Sequence, residues 1–239
     1  MPPFQIQYCT LADGYTIASN NVKAFWTDQT WRCTFATSTR DVVAHNSGLR
    51  GASNLLRDRA HRRHLMAVDV ETGEIVGYAR WLLPRAGCSA DDDDPCHKIW
   101  TEARTADPSE EQRKEAEDGA AKSQFAVLMQ GNTLPDVDAP IEKMFERLPR
   151  KRETYMQLDY LAVPEEYRGK GIATMLVRRG LEEAERLGFD SGVLAFRAAL
   201  QVYLKAGYQI VDEVHTDASY GGGEKDYGAW FMVKCLEKE

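Results

Sequence analysis

The chain has 239 residues, 43 % hydrophobic and 28 % charged, which suits a globular protein with one good core. No apolar run approaches the roughly 20 residues of a membrane-spanning helix, and Met1-Pro2-Pro3-Phe4 lacks the basic and apolar regions of a secretory leader. The formal net charge is -7; residues 91 to 118 hold 11 acidic and 4 basic side chains, and the remainder carries 26 of each sign, so no overall basic field favours nucleic acid.

In chain order, Phe4 to Cys9 reads as a strand, and Thr10 or Asp13 caps a helix whose Ile17, Ala18, Val22, Phe25 and Trp26 share one face. A second helix is expected from the early forties to His64, with Leu49, Ala52, Leu55 and Leu56 as its stripe. The arginines between Arg50 and His64 (Arg50, Arg57, Arg59, Arg62 and Arg63) then form either a solvated helix face or a patch attracting a phosphorylated ligand or cofactor, and His61 and His64 lie three apart on it. Leu65 to Val70, a turn at Glu71-Thr72-Gly73-Glu74, and Ile75 to Leu83 make a hairpin stopped by Pro84.

Residues 85 to about 150 are acidic, proline-punctuated and helix-prone, with one modest stripe at Ile141, Met144, Phe145 and Leu148. Their apolar content is too low for an independent core, so they are expected to be an insertion within a single domain, mobile over Cys88 to Asp118 and dispensable for folding. Tyr155 to Val163 reads as a strand, Ile172 to Leu187 as an amphipathic helix closed by Gly188, and Ser191 to Phe196 as a strand. Ala198 to Ala206 is a short helix, and Tyr208 to Val214 and Tyr227 to Cys235 are the last strands. Strand, helix, strand in this order implies a right-handed crossover and locally parallel pairing.

Chemistry concentrates in Leu158-Asp159-Tyr160-Leu161-Ala162-Val163-Pro164-Glu165-Glu166-Tyr167-Arg168-Gly169-Lys170-Gly171-Ile172-Ala173. A glycine-rich turn between strand and helix leaves backbone N–H groups and the positive end of the helix dipole facing outward, an anion site suited to a pyrophosphate. Arg168 and Lys170 add charge. The glycine spacing matches neither the magnesium–triphosphate loop nor the dinucleotide fingerprint.

This segment resembles the GNAT superfamily of acetyl-CoA-dependent N-acetyltransferases. The family's loop, Arg/Gln, two residues, Gly, one residue, Gly/Ala, is met by Arg168, Gly171 and Ala173, and its Leu-Tyr-x-Lys-x-Gly-Phe segment by Val202-Tyr203-Leu204-Lys205-Ala206-Gly207-Tyr208. Where many members carry an Asn, this chain has Phe196-Arg197. The resemblance implies an α/β (α+β) fold with a central mixed, mostly antiparallel sheet of about seven strands, splayed in the middle and flanked by helices. It also implies acetyl-CoA as co-substrate. Leu161, Ala162 and Val163 would pair with the pantetheine, Arg168, Gly169, Lys170, Gly171, Ile172 and Ala173 would hold the pyrophosphate, and Tyr203 would sit near the sulfur.

For transfer to an amine, the resemblance assigns the Val163 N–H to the developing oxyanion and Tyr203 to protonation of the leaving sulfur. Asp159, a charge inside an apolar strand, needs a purpose or a partner: it is either a base or ammonium-binding group, or a structural carboxylate pairing with an arginine such as Arg80. Gln157, two residues earlier, would face the same side. Trp26, Tyr78 and Trp81 are candidates for an acceptor pocket or for core. Cys88, Cys96 and His97 lack a recognised zinc pattern, so no metal is expected. The five scattered cysteines argue against a disulfide framework and fit a reducing cytoplasm. The expected protein is a cytoplasmic N-acetyltransferase of a small-molecule primary amine, monomer or homodimer, binding neither nucleic acid nor membrane. The amine would attack bound acetyl-CoA directly, because no cysteine sits on the site strand. The alternatives are a protein N-terminal or lysine acetyltransferase and a non-catalytic acyl-CoA sensor.

Overall fold

The computed structural model describes residues 3–85, 95–129, 135–219 and 222–236. They contain β1 (Phe4–Tyr8), α1 (Gly14–Phe25), α2 (Gln29–Cys33), α3 (Arg40–Leu49), α4 (Gly51–Leu56), β2 (Arg62–Asp69) and β3 (Ile75–Leu82). Next come α5 (Glu110–Lys122), α6 (Phe125–Met129), α7 (Pro135–Glu146) and β4 (Met156–Ala162). The chain finishes with α8 (Ile172–Leu187), β5 (Ser191–Phe196), α9 (Arg197–Lys205), β6 (Gln209–Thr216) and β7 (Tyr227–Lys234). The strands form one seven-stranded sheet in the order β1-β2-β3-β4-β5-β7-β6. Every neighbouring pair is antiparallel except β4–β5, the parallel pair joined through α8. The expected fold class is the one observed.

Alternation along the strands sends one set of side chains to each face. Leu65, Ala67, Ala79, Trp81, Met156, Leu158, Val193 and Ala195 join Ile172, Leu176 and Val177 of α8 and Tyr203 of α9 in the largest core. Trp81 and α8 meet so closely that a Cβ at Gly180 would lie 2.0 Å from the indole, which is why the helix carries glycine there. On the opposite face, Met66, Val68 and Tyr78 pack under Ile17 of α1 and Leu55 of α4. Further along that face, Tyr155, Ala229, Phe231 and Val233 pack under Ile141 and Met144 of α7. Helices of the N-terminal half therefore cover one side of β4, and α7 covers the other.

Three expectations are corrected here. The helix expected to reach His64 ends at Leu56, and Arg62–His64 open β2 instead. Both histidines are buried rather than on a surface face, His61 at 8 % and His64 at 1 % exposure. Arg63 is also fully buried, its guanidinium donating to the carbonyls of Arg59, Ala60, Arg62, Cys96 and Ile99. Burial, with Arg104 nearby, pushes its pKa down to about 10.

That cage also corrects the expectation of a mobile, dispensable segment, at least from residue 96 onward. Cys96, Trp100 and Ala103 lie in the largest core, and α5 packs against α4. Asn46 Oδ1 accepts from the N–H of Gln124 at 2.7 Å, fastening the approach to α6. Apolar content is low because few residues do the packing, not because none do. Cys96 is disulfide-bonded, whereas Cys9, Cys33 and Cys235 are free. Cys88, the acidic run Asp91–Asp94 and the His97 side chain lie outside the described residues.

Candidate active site

Strands β4 and β5 pair only at Met156–Ser191, Gln157–Gly192 and Leu158–Val193. Beyond Leu158 the two strands part, leaving the β5-facing edge of β4 open through Ala162. Parting coincides with a register shift on the other edge: Arg80 opposes Tyr160 and Trp81 opposes Leu158, so Asp159 is an extra residue in β4. Such a bulge bends its strand and re-aims a side chain. Leu158 stays in the core under α8. Asp159 and Tyr160 both turn to the face of Arg80 and Tyr78.

Arg80 Nε donates to Asp159 Oδ2 at 2.6 Å, and Arg80 Nη2 is 2.5 Å from the same oxygen. Asp159 Oδ1 makes no hydrogen bond among the described residues, and the carboxylate side chain is 32 % exposed. The structure thus supplies the arginine partner and leaves one oxygen available. Burial alone would lower the Arg80 pKa, but the charge and hydrogen bond of Asp159 and the nearby tyrosines outweigh it, and the net shift is upward. The Arg80 guanidinium lies 5.2 Å from the Tyr160 ring centre, and that ring meets Tyr78 edge-on at 5.9 Å and Phe25 at 5.0 Å. Tyr78 hydroxyl and His64 Nδ1 are 2.8 Å apart. Burial, with Arg80, Arg62 and Arg63 adding repulsion, pushes the His64 pKa down to about 3, so its imidazole is neutral. Gln157 is half-buried, on the side of the strand opposite Met156 and Leu158 and hence on the face of Asp159.

Across the splay, Tyr203 of α9 is 4 % exposed, its ring edge-on to Tyr208 at 5.8 Å. Burial, with Tyr208 adding a little, raises its pKa, so the phenol keeps its proton at neutral pH. The loop before α8 is open. Gly169 (φ +75°) and Gly171 (φ +83°) adopt the left-handed region that glycine favours, and no atom lies within 4 Å of a Cβ built on either. Gly171 caps the 16-residue α8, whose first N–H groups have no partner within the helix. This cradle fits a pyrophosphate, and the open edge of β4 fits the amides of a pantetheine. Leu161 and Val163 are half-buried and Ala162 is buried. Ile172 is 1 % exposed, so its side chain belongs to the core and its N–H alone faces the cradle.

Several expected site residues lie elsewhere. Arg168 spans from the loop to the end of α1: its Nη2 donates to Ala24 O at 2.7 Å and Thr27 Oγ1 at 3.0 Å, and its Nε to Val163 O at 3.3 Å. Lys170 stays over the Tyr167 ring. Trp81 is 0 % exposed and packs against α8, on the face away from Asp159. Trp26 stacks near Phe35 and Trp31 in the cluster around α3. Of the three proposed pocket aromatics, only Tyr78 shares the face of Asp159. Tyr160, His64 and Arg62 join it there without having been singled out; their alternation with Met66 and Val68 was the available signal.

The segment after α1 is tied to the stretch that leads into β7. Gln29 Nε2 donates to Gly222 O at 2.8 Å, Glu224 N–H to Thr30 Oγ1 at 3.1 Å, and Tyr227 hydroxyl to Asp28 Oδ2 at 3.4 Å. Among the described residues no helix is long and apolar enough to cross a membrane.

The family model "Acetyltransferase (GNAT) family" matches residues 24–208. No curated protein sequence matches the chain. Solved structures with the same fold include a "histone acetyltransferase HPA2 and related acetyltransferase" from Corynebacterium glutamicum. It is 17 % identical at TM-score 0.57, with 99 % of this chain and 98 % of that one covered. The C-terminal condensation domain of Ebony, in complex with beta-alanyl-dopamine, is 15 % identical at TM-score 0.56, covering 99 % and 100 %. A candidate arylalkylamine N-acetyltransferase 7 of the yellow fever mosquito Aedes aegypti is 16 % identical at 0.55, covering 97 % and 86 %. At these identities the solved structures speak for the fold alone, whereas the family model spans most of the chain and meets it at the splay, the loop and the Tyr203 helix: the chain belongs to the GNAT family of acetyl-CoA-dependent acetyltransferases.

Proposed function

We propose that the protein acetylates a primary amine of a small molecule by direct attack. The observation carrying this reading is the bulge that turns the Asp159 carboxylate toward the acceptor face where β4 leaves β5, with Oδ1 unengaged. Acetyl-CoA supplies an activated thioester. Asp159 Oδ1 attracts the ammonium form and takes its proton, directly or across one water. The Val163 N–H donates to the acyl oxygen as negative charge develops there. Tyr203 gives its phenolic proton to the sulfur as the C–N bond forms and the C–S bond breaks, and its raised pKa keeps that proton in place until the thiolate develops. Leu161, Ala162 and Val163 align the pantetheine, and the N–H groups from Gly169 to Ala173 hold the pyrophosphate. Tyr78 and Gln157 line the acceptor side.

The ties between the Asp28–Thr30 segment and residues 222–227 hold the chain after α1 against the start of the strand that neighbours β5, which supports a small acceptor over a folded protein. A panel of amines, amino acids, polyamines and aminoglycosides, followed by thiol release and mass analysis of the acceptor, tests the reading. Amine-dependent release of coenzyme A with one N-acetyl group added to the acceptor is expected. Tight acetyl-CoA binding without amine-dependent release would make the protein a sensor, and acetylation confined to peptide N-termini or lysines would make it a protein acetyltransferase.

A further inference from the structure

Arg62 is a half-buried cation of the acceptor face whose guanidinium has no hydrogen-bond partner among the described residues. It opens β2, opposite Leu82, on the same side of the sheet as His64 and Arg80. The residue is half-buried, and its Nε is wholly enclosed without a hydrogen bond. Arg80 and Arg57 repel it, and Asp159 and Asp58 attract it. Both carboxylates are engaged elsewhere: Asp159 Oδ2 by Arg80, and Asp58 by Arg85 Nη2 at 2.6 Å and His61 Nδ1 at 3.0 Å. Four guanidinium groups thus face two carboxylates. Arg57 and Arg85 are exposed and covered by water. Arg62 has neither full hydration nor an anion, a costly state for a charge unless a ligand completes it. His64 adds no charge, being held neutral.

We infer that Arg62 receives a carboxylate of the acceptor, so that the substrate is an amine that also carries a carboxylate, an amino acid in the broad sense. One uncompensated guanidinium matches a monoanion, which it holds with two parallel N–H donors. Strands β2 and β4 are two strand spacings apart, about 10 Å between backbones. Arg62 and Asp159 are close enough to interact electrostatically past Arg80, so two ends of one small molecule can engage both. The Asp159 Oδ1 atom takes the ammonium end and Arg62 the other. The inference rests on the acceptor face assigned above.

Matched pairs that differ only by the carboxylate test it: tyrosine with tyramine, phenylalanine with phenethylamine, arginine with agmatine, and lysine with cadaverine. Binding of each to the full chain saturated with coenzyme A is measured by calorimetry, and turnover is measured separately. At least one carboxylated member is expected to bind about tenfold or more tightly than its partner. Arg62→Met should bring that member down to the level of its partner, and Arg62→Lys should restore part of the difference. Melting curves of both variants check that the fold survives. A decarboxylated member that binds as well as or better than its partner in every pair overturns the inference. So does a preference that survives Arg62→Met, or no binding by either member of any pair. A carboxylate preference without coenzyme A release in the turnover assay keeps the anion site and removes the transfer reading.

Discussion

Tyr203 is protonated at neutral pH as any phenol is, burial holds that state more firmly, and in the proposed reaction it enters as the acid. Tyr203→Phe should therefore lower kcat by roughly 10²-fold while acetyl-CoA affinity stays near wild type, since the ring still packs. Wild-type turnover at saturating substrates would make Tyr203 a packing residue. On the proposed reading Asp159 has two jobs at two oxygens, the ion pair with Arg80 at Oδ2 and the acceptor amine at Oδ1. Asp159→Asn should weaken acceptor binding and shift the kcat/KM profile to higher pH. It should also cost roughly 1–3 kcal/mol of stability as Arg80 loses its counter-charge. Melting temperature and pH profile on one preparation separate these effects; a loss of stability with an unshifted profile would leave only the structural job. His64 governs acid sensitivity. Its pKa is near 6.5 unfolded and about 3 folded, so between those values the unfolded chain holds the extra proton. Stability accordingly falls as pH drops from 6.5 toward 3, by about 1.4 kcal/mol per pH unit. Urea titrations at pH 7 and pH 5 should show His64→Gln losing about 2 kcal/mol less than wild type over that interval. Equal losses would remove His64 from the acid response.

Among elements, the loop and α8 act together. Gly171→Glu puts a side chain at φ +83° and a negative charge at the positive end of the helix. The strain alone should cost about 1–2 kcal/mol, a fall of a few degrees in melting temperature. The rise that acetyl-CoA produces in the wild type should disappear. Gly171→Asn, which tolerates this backbone without adding charge, is the control, and a retained ligand shift in the Glu variant would move the pyrophosphate elsewhere. The loop, β4 and α8 were legible because strand periodicity, two glycines and an apolar stripe agree within one short segment. Arg62 and His64 were not: a cluster of cationic residues following a helical stripe reads as more helix, and what turns it into strand is pairing with β3. The position of the bulge was only half legible: Asp159 stood out as a charge inside an apolar strand, but nothing in Leu158-Asp159-Tyr160-Leu161 says that the register shifts there. Arg168 matched the family loop as a residue, but its side chain answers to the end of α1, more than 140 positions away.

For the molecule as a whole, the segment after β3 belongs to the main body. Trp100 lies in the core shared with α8, and the carbonyls of Cys96 and Ile99 accept hydrogen bonds from the buried Arg63 guanidinium. Trp100→Ala should cost about 3–5 kcal/mol in urea unfolding. Replacing residues 95–122 by a Gly-Ser bridge should give an insoluble or unfolded chain, and a soluble deletion protein with normal melting would restore the view of these residues as an appendage. The sheet carries the opposite lesson at one position. Asp159 is the single residue by which β4 exceeds its partner strand, so removing that codon rejoins Leu158 to Tyr160 in unbroken alternation and moves no other side chain across the sheet. On the proposed reading, the loss of three nucleotides separates scaffold from reaction: the shortened chain should melt as a folded protein, somewhat below the wild type because Arg80 has lost its counter-charge, and give no amine-dependent turnover.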